Sequence, residues 1–300
     1  FLGLGSEPRV LPEELTNGIS NIHYIRSIGD IDLITNKFLG KRKILILGGG
    51  FIGLEVASIA RKIGLDVTLI ESQERILKRS SSEIVANYVK DIHVSNGVII
   101  KENTIVKKFL SNNKEFIGIL TNNEEEIFAD LLIAGVGIKP NTLIASNAGL
   151  SVSNGIVINK YCRTSDPKIY AAGDCVSFPF NDSLIRLESV GNAIEQSEIA
   201  AENVWGNKLE YKPIPWFWSD QFDVKLQIAG LNAGFDRTIT RAGKRAGSES
   251  TWYFKEGKLL AVDAINDAAS FLIAKRLLEK EEQPEMSRFE DPSFDVKALL

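Results

Sequence analysis

Three glycines and one acid carry the most legible chemistry in this 300-residue chain. Gly48, Gly50 and Gly53 fall at G-x-G-x-x-G spacing, and Glu71 lies eighteen positions beyond Gly53. Such glycines suit a dinucleotide. The first permits a tight turn, the second lets backbone approach a pyrophosphate, and the third lets a helix pack closely on a strand. The phosphates would rest on the positive end of that helix. An acid at the end of the next strand accepts hydrogen bonds from an adenine ribose and repels a 2′-phosphate, so NAD is favoured over NADP.

The elements that must position these residues can be read on either side of them. Residues 44–47 form an apolar run suited to a strand buried on both faces. Ile52, Val56, Ile59, Ala60 and Ile63 then recur at helical intervals, with Gly64 where a helix C-cap would stand. A second strand over 67–70 ends at Glu71. A lone glycine motif is weak, but strand, glycines, helix, strand and acid in that order supply the context it requires.

The remainder alternates in the same manner. A helix is predicted over 30–39 and another over 84–94. Short strands follow at 98–100, 105–110, 116–121 and 127–128, with Asn112-Asn113 and Asn122-Asn123 providing turn chemistry. The last three read as a meander placed before a closing strand, 130–134, which ends in Gly135-Val136-Gly137. Beyond Pro140 the pattern predicts strands at 156–158 and 168–171, the latter leading to Gly173-Asp174, and a helix over 188–205 stopped by Gly206. The proline- and tryptophan-rich stretch 211–218 reads as a boundary. Strands at 224–229, 237–241, 250–255 and 259–262 with a helix at 268–280 read as a separate α+β module, and a charged tail begins at Glu281.

Composition narrows the class. The chain is 44% hydrophobic and 25% charged with net charge −4, ordinary for a globular protein and unlike a nucleic-acid binder. No apolar stretch approaches the length needed to span a bilayer, and no signal peptide is visible. The two cysteines, Cys162 and Cys175, make neither a disulfide framework nor a metal site, so a cytoplasmic setting is expected. Cys175 beside Asp174 reads as a small buried thiol, and His23 and His93 lack an acid or nucleophile pattern. The only methionine is Met286, so the chain is expected to be a portion of a longer or processed protein.

Four motifs together resemble one family: GSEPR at 5–9, GGGFIGLEVA at 48–57, YAAGDC at 170–175 and PWFWSDQFDVKLQIAGL at 215–231. They are similar to those of the FAD-dependent pyridine nucleotide-disulfide oxidoreductase superfamily, and the fourth is similar to its ferredoxin and rubredoxin reductase (putidaredoxin-reductase-like) branch. The resemblance implies an α/β fold. A Rossmann-like NAD-binding domain (13–139) would be inserted in the remnant of an FAD-binding domain (1–12 and 140–212), followed by a C-terminal α+β domain (213–300). The family's first glycine-rich FAD segment, with its flavin-side lysine, would lie before Phe1.

The resemblance also implies roles. Arg9 would lie beside FAD, Asp174 would accept a hydrogen bond from the ribityl chain, and Val190 would offer its backbone N–H to the flavin pyrimidine edge. Glu55 would sit near flavin N5 and the nicotinamide, Gly137 would pack on the nicotinamide half, and Trp218 would border the isoalloxazine. With Gly48, Gly50, Ile52, Gly53 and Glu71 these complete the candidate cofactor-binding set. No side chain need act as nucleophile, acid or base, and none is assigned as catalytic; no metal ligand is assigned either.

The chain carries no C-x-x-C pair of the kind that dithiol reductases use to pass electrons onward. The implied alternative is electron transfer from NADH through FAD to a ferredoxin or rubredoxin of an oxygenase system, with a homodimer possible. Two other readings stay open: an NADH oxidase, peroxidase or monodehydroascorbate-type reductase with a small acceptor, and a redox sensor similar to apoptosis-inducing factor. Arg237, Arg241, Lys244 and Arg245 form a basic cluster in an acidic chain and are the expected docking patch for an acidic ferredoxin, with a solvated loop as the alternative.

Overall fold

The computed structural model describes residues 1–38, 40, 42–181, 183–280 and 284–299. The chain divides into two compact units, one of Pro8–Ile138 with Ser219–Lys225, the other of Phe1–Glu7, Lys139–Trp218 and Leu226–Leu300. The fold is α/β, with a Rossmann-like parallel sheet in the first unit and a C-terminal antiparallel sheet in the second.

In the first unit a five-stranded sheet runs in the order Ile22–His23, Leu131–Ala134, Lys43–Leu47, Asp66–Ile70, Val98–Lys101. Every pairing is parallel. The central strand is buried from Ile44 to Leu47, as an apolar run without alternation predicts. Register does the positioning. Leu47 pairs with Ile70 on one side and Ala134 on the other, so the strands end level and deliver Gly48, Glu71 and Gly135 to one edge. Gly48 N donates to Ile70 O and Gly135 N to Leu47 O, both at 2.8 Å.

The Phe51–Lys62 helix follows, but its buried face is not the one expected. Gly53, Leu54, Ala57, Ser58 and Ala60 face the sheet, whereas Ile52, Ile59 and Ile63 are exposed. Both stripes have helical period. Size separates them: at Gly53 an added Cβ would lie 2.0 Å from Gly48 O, so only small residues fit where the helix meets the strand. Gly64 stands past the helix end at φ +87°, as a C-cap glycine should.

The helix expected over 30–39 spans Ile28–Phe38, and its expected last residue, Leu39, lies outside the described residues. The Glu83–Ser95 helix is capped by Ser82, whose Oγ accepts from Val85 N. The meander forms as antiparallel strands Val106–Asn112, Glu115–Thr121 and Glu126–Phe128. Its first turn is Asn113 and Lys114, both left-handed at φ 49° and 64°, a two-residue turn that matches strand twist.

The second unit holds two cores. One gathers Ile156, Tyr170, Val176, Phe178, Ala200 and Tyr211 around strands Ile156–Val157 and Val176–Phe180 and the Val190–Val204 helix. No strand forms at 168–171. That run makes isolated bridges only, with Leu2 N donating to Tyr170 O and Ala172 N to Leu2 O. The other core packs the Ala268–Leu278 helix on a five-stranded sheet ordered Trp216–Gln221, Val224–Gly230, Lys258–Ile265, Glu249–Lys255, Arg237–Ala242. The first of these strands lies in the stretch read as a boundary, because its aromatics are grouped rather than alternating. The start of the charged tail, Glu281, lies outside the described residues. No helix among the described residues is long and apolar enough to cross a membrane.

Candidate functional site

In the first unit the level strand ends open onto a cavity of about 390 Å³ lined by Gly48–Gly50, Glu71, Gly135–Gly137 and residues 104–106 and 109. Gly48 sits at φ +104°, and a Cβ there would lie 2.3 Å from Gly135 O. The glycine is therefore required by geometry. Gly50 differs: nothing lies within 4 Å of where its Cβ would be. Gly50 is also the N-cap of the Phe51–Lys62 helix, and no side chain caps that terminus. Open space above a helix N-terminus whose first N–H groups lack intrahelical partners is the arrangement that fits a pyrophosphate.

Glu71 closes one side of this cradle. Its Oε2 accepts from Gly49 N and its Oε1 from Gln73 N, each at 2.7 Å. The carboxylate is thus held by two backbone donors at the cavity edge. Arg75, Lys78 and Arg79 also line the cavity and were not anticipated; no periodicity marks them, because they arrive on an irregular loop. Arg75 donates to the carbonyls of Ile76 and Ser81, and Lys78 pairs with Glu74.

Arg9 and Gly137 meet at the far side. Arg9 N donates to Gly137 O at 2.9 Å, its Nε donates to Ile138 O at 3.1 Å, and its side chain lies against Gly137. Ile52 is exposed in the first helical turn, beside the cradle glycines in sequence.

Glu55, one turn into the same helix, accepts a hydrogen bond at Oε1 from Ser219 Oγ. Burial raises its carboxyl above the usual range; the Ser219 bond opposes this, and the nearby Asp220 charge adds to it. The 219–225 segment is fastened nearby: Phe222 N donates to Ser58 Oγ at 2.6 Å and Lys62 Nζ to Phe222 O at 2.8 Å.

The second unit holds the other candidates. Asp174 Oδ2 accepts from Ser6 Oγ at 2.9 Å, which joins the GSEPR and YAAGDC motifs in space. Val190 is the first residue of the Val190–Val204 helix, whose Ser189 cap accepts from Asn192 N. Trp218 is half-exposed and stacks on Trp216 at 5.6 Å and 22°. Trp216 is fixed from three sides: its Nε1 donates to Glu195, Lys275 lies over its ring, and the Gly191 backbone packs on it so tightly that a Cβ would lie 2.5 Å away. A carboxylate held by a hydroxyl and a helix N-terminus suit a flavin's polyol chain and its electron-rich edge.

Cys162 and Cys175 are free and buried. Burial pushes the Cys162 thiol up to about 12 and raises that of Cys175, so neither is a thiolate at neutral pH. Three residues of the basic cluster are engaged within the chain. Arg237 pairs with Glu290, Lys244 with Asp295 at 3.6 Å, and Arg241 donates to the carbonyls of Phe289, Asp291, Pro292 and Phe294. Arg241 therefore staples the C-terminal segment.

Comparison with known proteins places this architecture. The family model for pyridine nucleotide-disulphide oxidoreductases matches residues 1–197, and a reductase C-terminal model matches residues 216–300. The chain belongs to the pyridine nucleotide-disulphide oxidoreductase family. Rhodocoxin reductase of Rhodococcus erythropolis is 37% identical over 302 residues, covering 100% of this chain and 70% of that protein. Among solved structures, a ferredoxin reductase from Rhodopseudomonas palustris superposes with a TM-score of 0.95 at 32% identity, covering 99% of this chain and 74% of that one. The putidaredoxin reductase in a covalent complex with putidaredoxin gives 0.92 at 34% identity, covering 99% and 73%.

Proposed function

We propose that this oxidoreductase carries electrons from NADH through FAD to a ferredoxin or rubredoxin that serves an oxygenase, in the cytoplasm. The observation that carries the reading is the open cradle above Gly50, flanked by Glu71, at the level ends of a parallel sheet. The acceptor class follows from the names of the similar reductases and from the reductase C-terminal match at 216–300.

Bound FAD would supply the conversion of a two-electron hydride donor into single-electron steps suited to an iron centre. The chain's own residues bind and orient. Gly48–Gly53 would seat the pyrophosphate, Glu71 would engage the adenine ribose, Gly137 would border the nicotinamide half, and Arg9 would lie beside the FAD. Glu55 would hold the donor end in place. Asp174 and the Val190 N–H would secure the flavin's ribityl chain and pyrimidine edge, with Trp218 against the ring. Both thiols being buried and protonated supports electron exit without a dithiol.

The test is an absorbance titration of the protein expressed with its complete reading frame. Flavin bands that NADH bleaches, and that an oxidised ferredoxin or rubredoxin restores faster than oxygen does, are expected. A colourless protein after reconstitution, or bands that NADH leaves unchanged, would end the reading.

A further inference from the structure

His93, Gln221 and Ser219 are buried polar residues to which the binding roles above give no task. They form a single file that ends at Glu55. His93 Nε2 lies 2.9 Å from Gln221 Oε1, Gln221 Nε2 lies 3.0 Å from Ser219 Oγ, and Ser219 Oγ bonds Glu55 Oε1. The file is closed to water, since Ser219, Gln221 and His93 are at most 3% exposed. Phe222 meets the imidazole edge-on at 5.0 Å and 72°, which fixes the ring.

These heavy-atom positions admit two proton arrangements. In the first, His93 Nε2–H donates to Gln221 Oε1, Gln221 Nε2–H donates to Ser219 Oγ, and Ser219 O–H donates to an ionised Glu55. In the second, Glu55 carries a proton and donates to Ser219 Oγ. Ser219 then donates to the amide oxygen of a flipped Gln221, whose NH₂ donates to a bare Nε2 of His93. Neither arrangement leaves a mismatch, whereas every mixture of the two either sets like groups against one another or leaves the Ser219 hydroxyl hydrogen without an acceptor in the file. The far end separates them. His93 Nδ1 has no hydrogen-bond partner among the described residues. It is a bare lone pair in the first arrangement and a buried orphan N–H in the second, which is the costlier state.

We propose that Ser219, Gln221 and His93 are positioning residues for Glu55, forming a hydrogen-bond chain whose direction is set by the Glu55 proton and read out as the tautomer of His93. The change takes up one proton, at Glu55, from solvent. The imidazole keeps a constant proton count, exchanging its Nε2 proton for one at Nδ1 with solvent during local opening of the 219–225 segment. The chain favours the carboxylate, since the orphan N–H penalises its reversal, and so resists the protonation that burial promotes. Asp220, itself paired with Lys225, is the charged group facing Glu55 from the 219–225 segment. Burial lowers the His93 pKa and so disfavours its charged form, which leaves a change of tautomer as the response that costs no buried charge. The importance of this chain for turnover rests on the placement of Glu55 beside the nicotinamide; its existence does not.

The experiment is nitrogen-15 NMR of the two histidines in the full chain across an acid titration, with the Glu55 carboxyl followed by carbon-13. His93 is expected to pass from the Nε2–H to the Nδ1–H tautomer with the same midpoint as Glu55. Ser219→Ala and Gln221→Met, which break the file at separate links, should each abolish that coincidence, and Ser219→Thr should restore it. An Nε2–H tautomer that persists through the Glu55 titration overturns the proposal, as does an unchanged coincidence in both broken variants. A colourless protein that shows the coupled change would overturn only the reductase reading, and a working flavoprotein without it only this one.

Discussion

Glu71 and Glu55 are two carboxylates on one unit, and their surroundings separate them. Glu71 is held by backbone N–H groups at the edge of the cradle, whereas Glu55 is half-buried beside a hydroxyl and another acid. Glu71→Ala should narrow the preference for NADH over NADPH by about tenfold in kcat/KM, the scale of one lost charge repulsion. A ratio equal to the parent's would remove Glu71 from the ribose assignment. For Glu55 the sign follows from linkage. A carboxyl raised in the folded state destabilises the fold once pH exceeds its unfolded value, and the cost vanishes below that value. Glu55→Gln, which keeps an acceptor for Ser219, should therefore be more stable than the parent at pH 7, and the gap should close as the solution is acidified toward pH 4. Urea midpoints at the two pH values measure it; a gap that widens on acidification contradicts the burial account. The spacing of Gly48, Gly50, Gly53 and Glu71 was legible because each answers to a local backbone requirement. Ser219, Gln221 and His93 were not, because their partners are more than a hundred positions apart except for Ser219 and Gln221.

At the scale of the element, the strand–turn–helix unit distinguishes glycines needed by the fold from a glycine needed by the ligand. Gly53→Ala forces a Cβ onto Gly48 O at 2.0 Å and should cost about 2–3 kcal/mol as the helix is pushed from the strand. Gly50→Ala places its methyl in open space at an ordinary negative φ, so the melting temperature should stay within a degree or two of the parent. Its NADH affinity should nevertheless fall at least tenfold, because the methyl occupies the pyrophosphate's place. Calorimetry paired with NADH binding checks both; Gly50→Ala with parental affinity would mean that no phosphate approaches that point. The same helix shows the limit of periodicity. Ile52, Ile59 and Ile63 form as good a stripe as Leu54, Ala57 and Ala60, and only the close approach at Gly53 selects the smaller one.

Across the whole molecule, charge that looks available in sequence is often already engaged. Arg241 is the clearest case, since its guanidinium serves four carbonyls of the C-terminal segment. Arg241→Ala should destabilise the second unit by about 2–3 kcal/mol, as the charge-assisted bonds to the part-buried carbonyls of Phe289 and Phe294 are lost. It should also expose residues near Phe289 and Phe294 to limited proteolysis, whereas Lys244→Glu, at an exposed pair, should do neither. Equal protease resistance in Arg241→Ala and the parent would remove the staple. By itself the sequence determined the strand–glycine–helix–strand–acid order of the first unit, the meander after it and the α+β character of the C-terminal module, since apolar runs, turn residues and glycine spacing act within a few residues of one another. Only the tertiary structure decided which helix face is buried, that 168–171 forms bridges rather than a strand, what Arg241 holds, and how Glu55 is joined to His93. Each of these depends on a partner from a distant part of the chain, and local propensity holds no information about which partner arrives.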